Sequence, residues 1–242
     1  MSSTVLIAGF VVSLALFFDF TNGFHDSANQ VATVITSHAL SPAAALTFAA
    51  LANFIGAYFL GTAVAETIGK GIVDPRLLQT GTSGIIVVIA ALFGAIIWNL
   101  ITWYFGIPSS SSHSLIGGLI GAFFFGWGSH PINWNKVWHI ILIMIISPFV
   151  GLFITYIFTR LTLVFSQWST PKVNRTFKKL QIGTLITQAL AHGTNDAQKT
   201  MGVIVFALIL LGLHKPSIEG HITVPHWVVI SCSIAMAFGT AL

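Results

Sequence analysis

The 242-residue chain is 55% apolar and only 7% charged, which leaves too little polar surface to coat a soluble globule of this size. Its net charge of +4 is not spread over a face, as nucleic-acid binding would require. Lys172, Arg175, Lys178 and Lys179 crowd one acid-free stretch after Arg160, the cytoplasmic pattern of a multi-pass membrane protein and a contact for anionic lipid.

Apolar stretches near the ~20 residues of a helical crossing predict helices over 4–20, 42–65, 84–105, 113–126, 137–165, 182–191 with 197–213, and from 224 onward. The first segment lacks a basic leader and runs directly into a polar phrase, so it does not read as a cleavable signal. Residues 66–83 have turn composition, with Asp74-Pro75 and Arg76. Trp98, Trp103, Trp134, Trp138 and Trp227 read as interfacial belt residues. Gly117, Gly118 and Gly121 read as close helix packing. The single cysteine, Cys232, excludes an internal disulfide and a cysteine metal cluster.

One polar phrase is written twice. Gly23-Phe24-His25-Asp26-Ser27-Ala28-Asn29 returns 170 residues later as Gly193-Thr194-Asn195-Asp196-Ala197-Gln198-Lys199. Acids inside apolar runs mark ion or substrate sites, and a duplicated phrase points to two repeats meeting at one buried centre. Five segments precede the basic stretch, and an odd number inverts the second phrase against the first. The expected organisation is a first transmembrane repeat over 1–165, a cytoplasmic basic loop over 166–181, and the start of an inverted second repeat over 182–242. That second repeat reads as incomplete or as needing a partner polypeptide, and the N-terminus is expected outside.

If the first phrase is helical, Asn22, Asp26 and Asn29 share a face. With His25 they offer hard oxygen ligands and a titratable imidazole, suited to Na⁺ or a proton relay, and no fixed metal site is expected. His192 stands where the first phrase has Asn22, and Lys199 where it has Asn29. An ammonium in an apolar span must pair, and Asp196 lies three residues away. Asp19 has no counterpart in the second phrase, and a polar helix contact explains it as well as a site does.

Pro108-Ser109-Ser110-Ser111-Ser112-His113 interrupts the apolar run 84–126. This describes a helix, a break and a new helix start, where freed N–H groups, hydroxyl donors and the helix dipole bind an oxyanion. An ordinary loop with a capping serine is the plainer alternative.

On these residues the chain resembles the PiT family of inorganic phosphate transporters: it matches the duplicated Gly-x-Asn/His-Asp phrase and the Pro-x-Ser-Ser/Thr-Ser/Thr-His phrase. The resemblance implies an all-α polytopic membrane protein, an inverted-repeat transporter with broken or re-entrant helices and no enzymatic activity. It implies that Ser110, Ser111 and Ser112 contact phosphate, and that Asp26, Asn29, Asn195 and Asp196 form the cation and substrate centre. Lys199 joins the expected phosphate contacts, and Asn22, His25 and His192 the cation or proton centre. Asp196-x-Gln198-Lys199 is similar to the bacterial, proton-linked branch. That implies a bacterial plasma-membrane protein coupled to H⁺, with Na⁺ the alternative ion and a divalent metal a co-transported candidate. Two departures stand out: no second Pro-x-Ser-Thr-Thr-His phrase is present, and Lys199 replaces the Asn of sodium-coupled members. Sulfate permease is the nearest alternative; an intramembrane aspartyl protease or a non-transporting membrane subunit is the alternative of another class. Expected partners are inorganic phosphate and the lipid bilayer, with a homo-oligomer possible and no cofactor.

Overall fold

The computed structural model describes residues 3–62, 65, 82–130, 132–215 and 223–242. Seven helices are seen among them: α1 Ser3–Thr36, α2 Pro42–Phe59, α3 Thr82–Tyr104, α4 Ser111–Trp127, α5 Trp134–Ser166, α6 Val173–Leu210 and α7 His226–Ala241. The protein is all-α, and α1, α2, α5 and residues Gly84–Tyr104 of α3 are each long and apolar enough to cross a membrane. Of the expected turn 66–83, residues 66–81 lie outside the described residues, and Thr82 and Ser83 open α3.

Two helices are longer than the hydropathy pattern suggests. α1 continues unbroken through the first polar phrase, and α6 passes through the second without the interruption expected between 191 and 197. The phrases contain no proline, and their polar side chains find partners across the helix interface, so the backbone ladder has no reason to open. α6 also begins inside the stretch read as a loop: Arg175, Lys178 and Lys179 are helical. After Pro171 the sequence is rich in helix formers. Lys178 Nζ donates to the His38 carbonyl at 3.3 Å, placing a cation at the C-terminal end of α1, where the dipole favours it.

The break between α3 and α4 forms as the sequence predicts. Gly106 adopts φ 62; its N–H reaches the Trp103 carbonyl and the Ile107 N–H the Thr102 carbonyl, at 3.1 and 2.8 Å. This is the Schellman arrangement that ends a helix. Ser110 then caps α4, accepting from the His113 N–H at 3.4 Å.

α1 and α6 run antiparallel. Asp19 faces Thr200, Asn22 faces Asp196, Asp26 faces His192 and Ser37 faces Gln181, so the paired numbers fall on one helix as they rise on the other. α7 and α2 then pack against these two helices in a matching way. A Cβ on Gly23 would lie 2.3 Å from the Met236 carbonyl oxygen of α7, and one on Gly239 2.1 Å from that of Phe20. The same exchange joins α6 to α2: Gly193 would meet the Asn53 oxygen at 2.1 Å and Gly56 the Leu190 oxygen at 2.2 Å. Each phrase glycine therefore packs backbone to backbone against the other half of the molecule, as small residues do in membrane interfaces. Of the glycines expected to pack on α4, only Gly118 does so, against Ala91, while Gly117 and Gly121 have nothing within 4 Å. α5 is exposed along nearly all its length, with Val137 its one fully buried side chain, as suits a lipid-facing helix.

Gly193→Ala should therefore lower the thermal stability of the detergent-purified protein by at least the ~1–3 kcal/mol typical of overpacking. Gly151→Ala, with nothing within 4 Å, should be neutral or slightly stabilising. Equal melting temperatures for the two variants would contradict this packing.

Candidate functional site: a charged seam between the repeated phrases

The seam places the acids of the two phrases side by side. One oxygen or nitrogen each of Asp26, His192 and Asp196 lies within 4.8 Å of the others. His192 Nε2 stands 3.5 Å from Asp26 Oδ2 and 3.7 Å from Asp196 Oδ2. The Lys199 ammonium donates to Asp196 Oδ1 and also to Ser112 Oγ, so the pairing its burial demands is met within one helical turn. Asn22 Nδ2 donates to Asp196 Oδ2 at 3.4 Å. Ser111 Oγ lies 2.5 Å from Asn22 Oδ1 and 3.0 Å from Asp26 Oδ2; its single proton serves one of them at a time. His25 Nδ1 completes the group, 3.3 Å from Asp26 Oδ1.

A second layer sets the orientation of His192. Asn53, on the otherwise apolar α2, is fully buried. Its Nδ2 donates to Gln30 Oε1 at 3.1 Å and to Thr240 Oγ1 at 3.0 Å. Thr240 spends its own proton on the Met236 carbonyl, so its oxygen can only accept. Asn53 Oδ1 is thus left to receive the His192 Nδ1–H at 3.1 Å. With Nδ1 fixed as the donor, Nε2 faces two carboxylates either as an imidazolium N–H or as a lone pair for a cation. Two carboxylates and one imidazole form a donor set that hard cations accept.

Two carboxylates against one ammonium give the seam one net negative charge when the imidazoles are neutral. Anion donors nevertheless line it: the Ser111 and Ser112 hydroxyls, the Lys199 ammonium and the N-terminus of α4.

Of the residues expected from sequence, Asn22, His25, Asp26, Ser111, Ser112, His192, Asp196 and Lys199 come together. Ser110 supplies the cap of α4, the plainer role. Asn29 and Asn195 are exposed and make no hydrogen bond to the group. Asn29 lies a turn beyond Asp26, whereas α4 follows the seam the other way, from Asp26 toward Lys199. Asn195 is turned about 100° from Asp196 on the same helix. Asn53, Gln30, Thr200 and Thr240 were not anticipated. The available signal was a lone amide, Asn53, inside an Ala-rich span.

The sequence matches the model of the Phosphate transporter family, PHO4, over residues 22–170 and 165–242. The chain belongs to this family. A Bacillus subtilis protein named probable low-affinity inorganic phosphate transporter is 43% identical over all of the chain and 71% of its own length. A Mycobacterium bovis protein of the same name is 44% identical over 96% of the chain and 54% of its length. The Escherichia coli low-affinity inorganic phosphate transporter PitA is 36% identical over 85% of the chain and 46% of its length. The chain thus spans roughly half to seven tenths of the length of these relatives. Among solved structures, a chain titled the sodium-dependent phosphate transporter superposes with TM-score 0.79 over 97% of this chain and 74% of its own, at 20% identity; this likeness is one of fold. Together with the apolar helices, these relationships make the chain a membrane protein of a transporter family, not an enzyme.

Breaking the Lys199–Asp196 pair from one side should be costly. Lys199→Met should lower stability by about 3 kcal/mol, the low end for leaving a buried charge unpaired. Adding Asp196→Asn should restore most of the loss, and denaturant unfolding of both variants in detergent measures the difference. A double variant no more stable than Lys199→Met would contradict the pairing.

Proposed function

We propose that this protein carries inorganic phosphate across a bacterial inner membrane together with protons, with a divalent metal accompanying the phosphate as part of the cargo. The observation that carries the reading is the overlap of anion donors and paired acids in one seam. Ser111, Ser112 and Lys199 form an oxyanion seat, yet the two carboxylates beside them make the seat unfavourable for phosphate alone. An added cation removes that conflict, so anion and cation bind better together than apart. The family's relatives named as inorganic phosphate transporters support phosphate as the anion.

Lys199 supports the proton over sodium. Its ammonium already neutralises Asp196, and a sodium ion held by the same carboxylate would face that charge at close range. His192, whose Nε2 lies between Asp26 and Asp196, is the proton acceptor of the seam. Residues 1–165 serve as the first repeat and 182–242 as the beginning of the second, with the basic residues of 166–181 on the cytoplasmic side and the N-terminus outside.

Uptake of labelled phosphate into sealed vesicles, with pH and Na⁺ gradients imposed separately, tests the reading. Accumulation should follow the pH gradient, ignore Na⁺ and resist excess sulfate. Ser111→Ala with Ser112→Ala should weaken phosphate binding by at least about tenfold, since each hydrogen bond to a charged group contributes ~1.5–3 kcal/mol. Strict Na⁺ dependence would overturn the proton assignment, and equal competition by sulfate the assignment of phosphate.

A further inference from the structure

Asp19 lies outside the seam's hydrogen-bonded group and has no acid at the matching place in the second phrase, where Ala189 stands. It is completely buried, near the middle of α1 and ~10 Å along the helix axis from Asp26. Its surroundings are those of a neutral group. Oδ1 accepts one hydrogen bond, from Thr200 Oγ1 at 3.0 Å, and Oδ2 has no hydrogen-bond partner among the described residues. Ala15 and Phe18 on the same helix and Cys232 on α7 are all buried in the apolar core, and the Cys232 thiol lies within electrostatic reach of Asp19. An ionised carboxylate in this setting would hold its charge with a single hydroxyl for solvation, which costs several kcal/mol. A carboxylic acid costs far less.

The groups that face Asp19 electrostatically are few. α6 presents Asp196 and Lys199, already paired with each other, and α7 presents the Cys232 thiol. α2 and α3 carry no charged side chain, and their titratable groups are Tyr58 and Tyr104, at the far ends of those helices. Lys199, the cation that faces Asp19 among the described residues, is already committed to Asp196, and Thr200, which donates to Asp19, follows Lys199 directly on α6.

We propose that Asp19 is a second proton-binding site of this protein, separate from His192, whose protonation state is read by the phosphate seat through Thr200 and Lys199. The inference rests on the reading of the protein as a proton-coupled phosphate carrier. The step is a simple protonation: Oδ2 of the carboxylate takes a proton from water on the side where the acid is accessible and returns it to water on the other, with no other bond made or broken. Protonated, Asp19 adds no negative charge beside a seat that already carries one, and phosphate binds. Ionised, it adds a second negative charge, and phosphate is expelled. A polar helix contact would need the oxygen that accepts from Thr200 but not a proton that can leave.

Asp19→Asn separates these roles, because the amide keeps the acceptor for Thr200 and cannot titrate. In sealed vesicles the variant should retain phosphate exchange at equal pH on both sides while pH-driven accumulation falls by about tenfold, within the range of measured coupling energies. Exchange and pH-driven accumulation both unchanged would overturn the assignment of Asp19. Absence of exchange in the unmodified protein would instead overturn the transport reading. Infrared difference spectra provide an arm that does not depend on transport or on the folding of the Asn variant. The unmodified protein should show a protonated carboxyl C=O band at neutral pH, and Thr200→Val, which removes the hydrogen bond to that carboxyl, should shift it to higher frequency. A spectrum without the band, or a band that Thr200→Val leaves in place, would show that Asp19 does not hold the proton.

Discussion

The pairing of α1 with α6 in opposite directions is the constraint on which the other features depend. Antiparallel register brings residue 26 beside 192 and residue 22 beside 196, so two copies of one phrase become two halves of one charged group. Had the helices run parallel, the acids would have met different partners and the phrases would have formed two separate sites. The seam is held without large side chains. Four glycines let α7 and α2 approach the backbones of α1 and α6, which fixes the helix separation more tightly than packed Leu or Phe could and leaves the interior for polar groups.

The electrostatics follow from that placement. Charged groups drawn from both halves of the chain are removed from water together, and ion pairs and hydrogen bonds within the group offset that cost. Lys199 and Asp196 do this within one turn. Asp26 relies on Ser111, His25 and His192, two of which can change protonation. The group is thus incomplete both in charge and at His192 Nε2, which has no hydrogen-bond partner among the described residues, a state that an arriving proton or metal ion relieves. Coupling then follows from the net charge at and next to the seam, which protonation of its own imidazoles or of neighbouring Asp19 changes.

Much of this was legible in the sequence. The composition establishes the membrane class, the duplicated phrase locates the centre, and Gly106 with Pro108 marks the break that frees the serines. Lys199 and Asp196 could be paired from their spacing alone. What the sequence concealed depends on the partner of each face. Asn29 and Asn195 belong to the phrases by position, yet the path of α4 and a rotation of about 100° leave them outside the hydrogen-bonded group. Ser110 is spent on capping, a local demand that competes with any ligand. Asn53 lies in a span that reads as plain apolar helix, and its role in orienting His192 arises from contacts with α1, α6 and α7 that no local pattern encodes. The lengths of α1 and α6 were underestimated because polar residues inside a helix look like its end when their partners lie 140 to 180 residues away.

The central claim is that an anion and a cation stabilise one another in this seam, and equilibrium binding tests it most directly. Phosphate affinity of the purified protein would be measured over a series of pH values and divalent-metal concentrations, and metal affinity with and without phosphate. Reciprocal linkage is expected: phosphate binds more tightly as protons or metal are supplied, and metal affinity rises by the same factor when phosphate is present. Phosphate affinity independent of both pH and metal would contradict it.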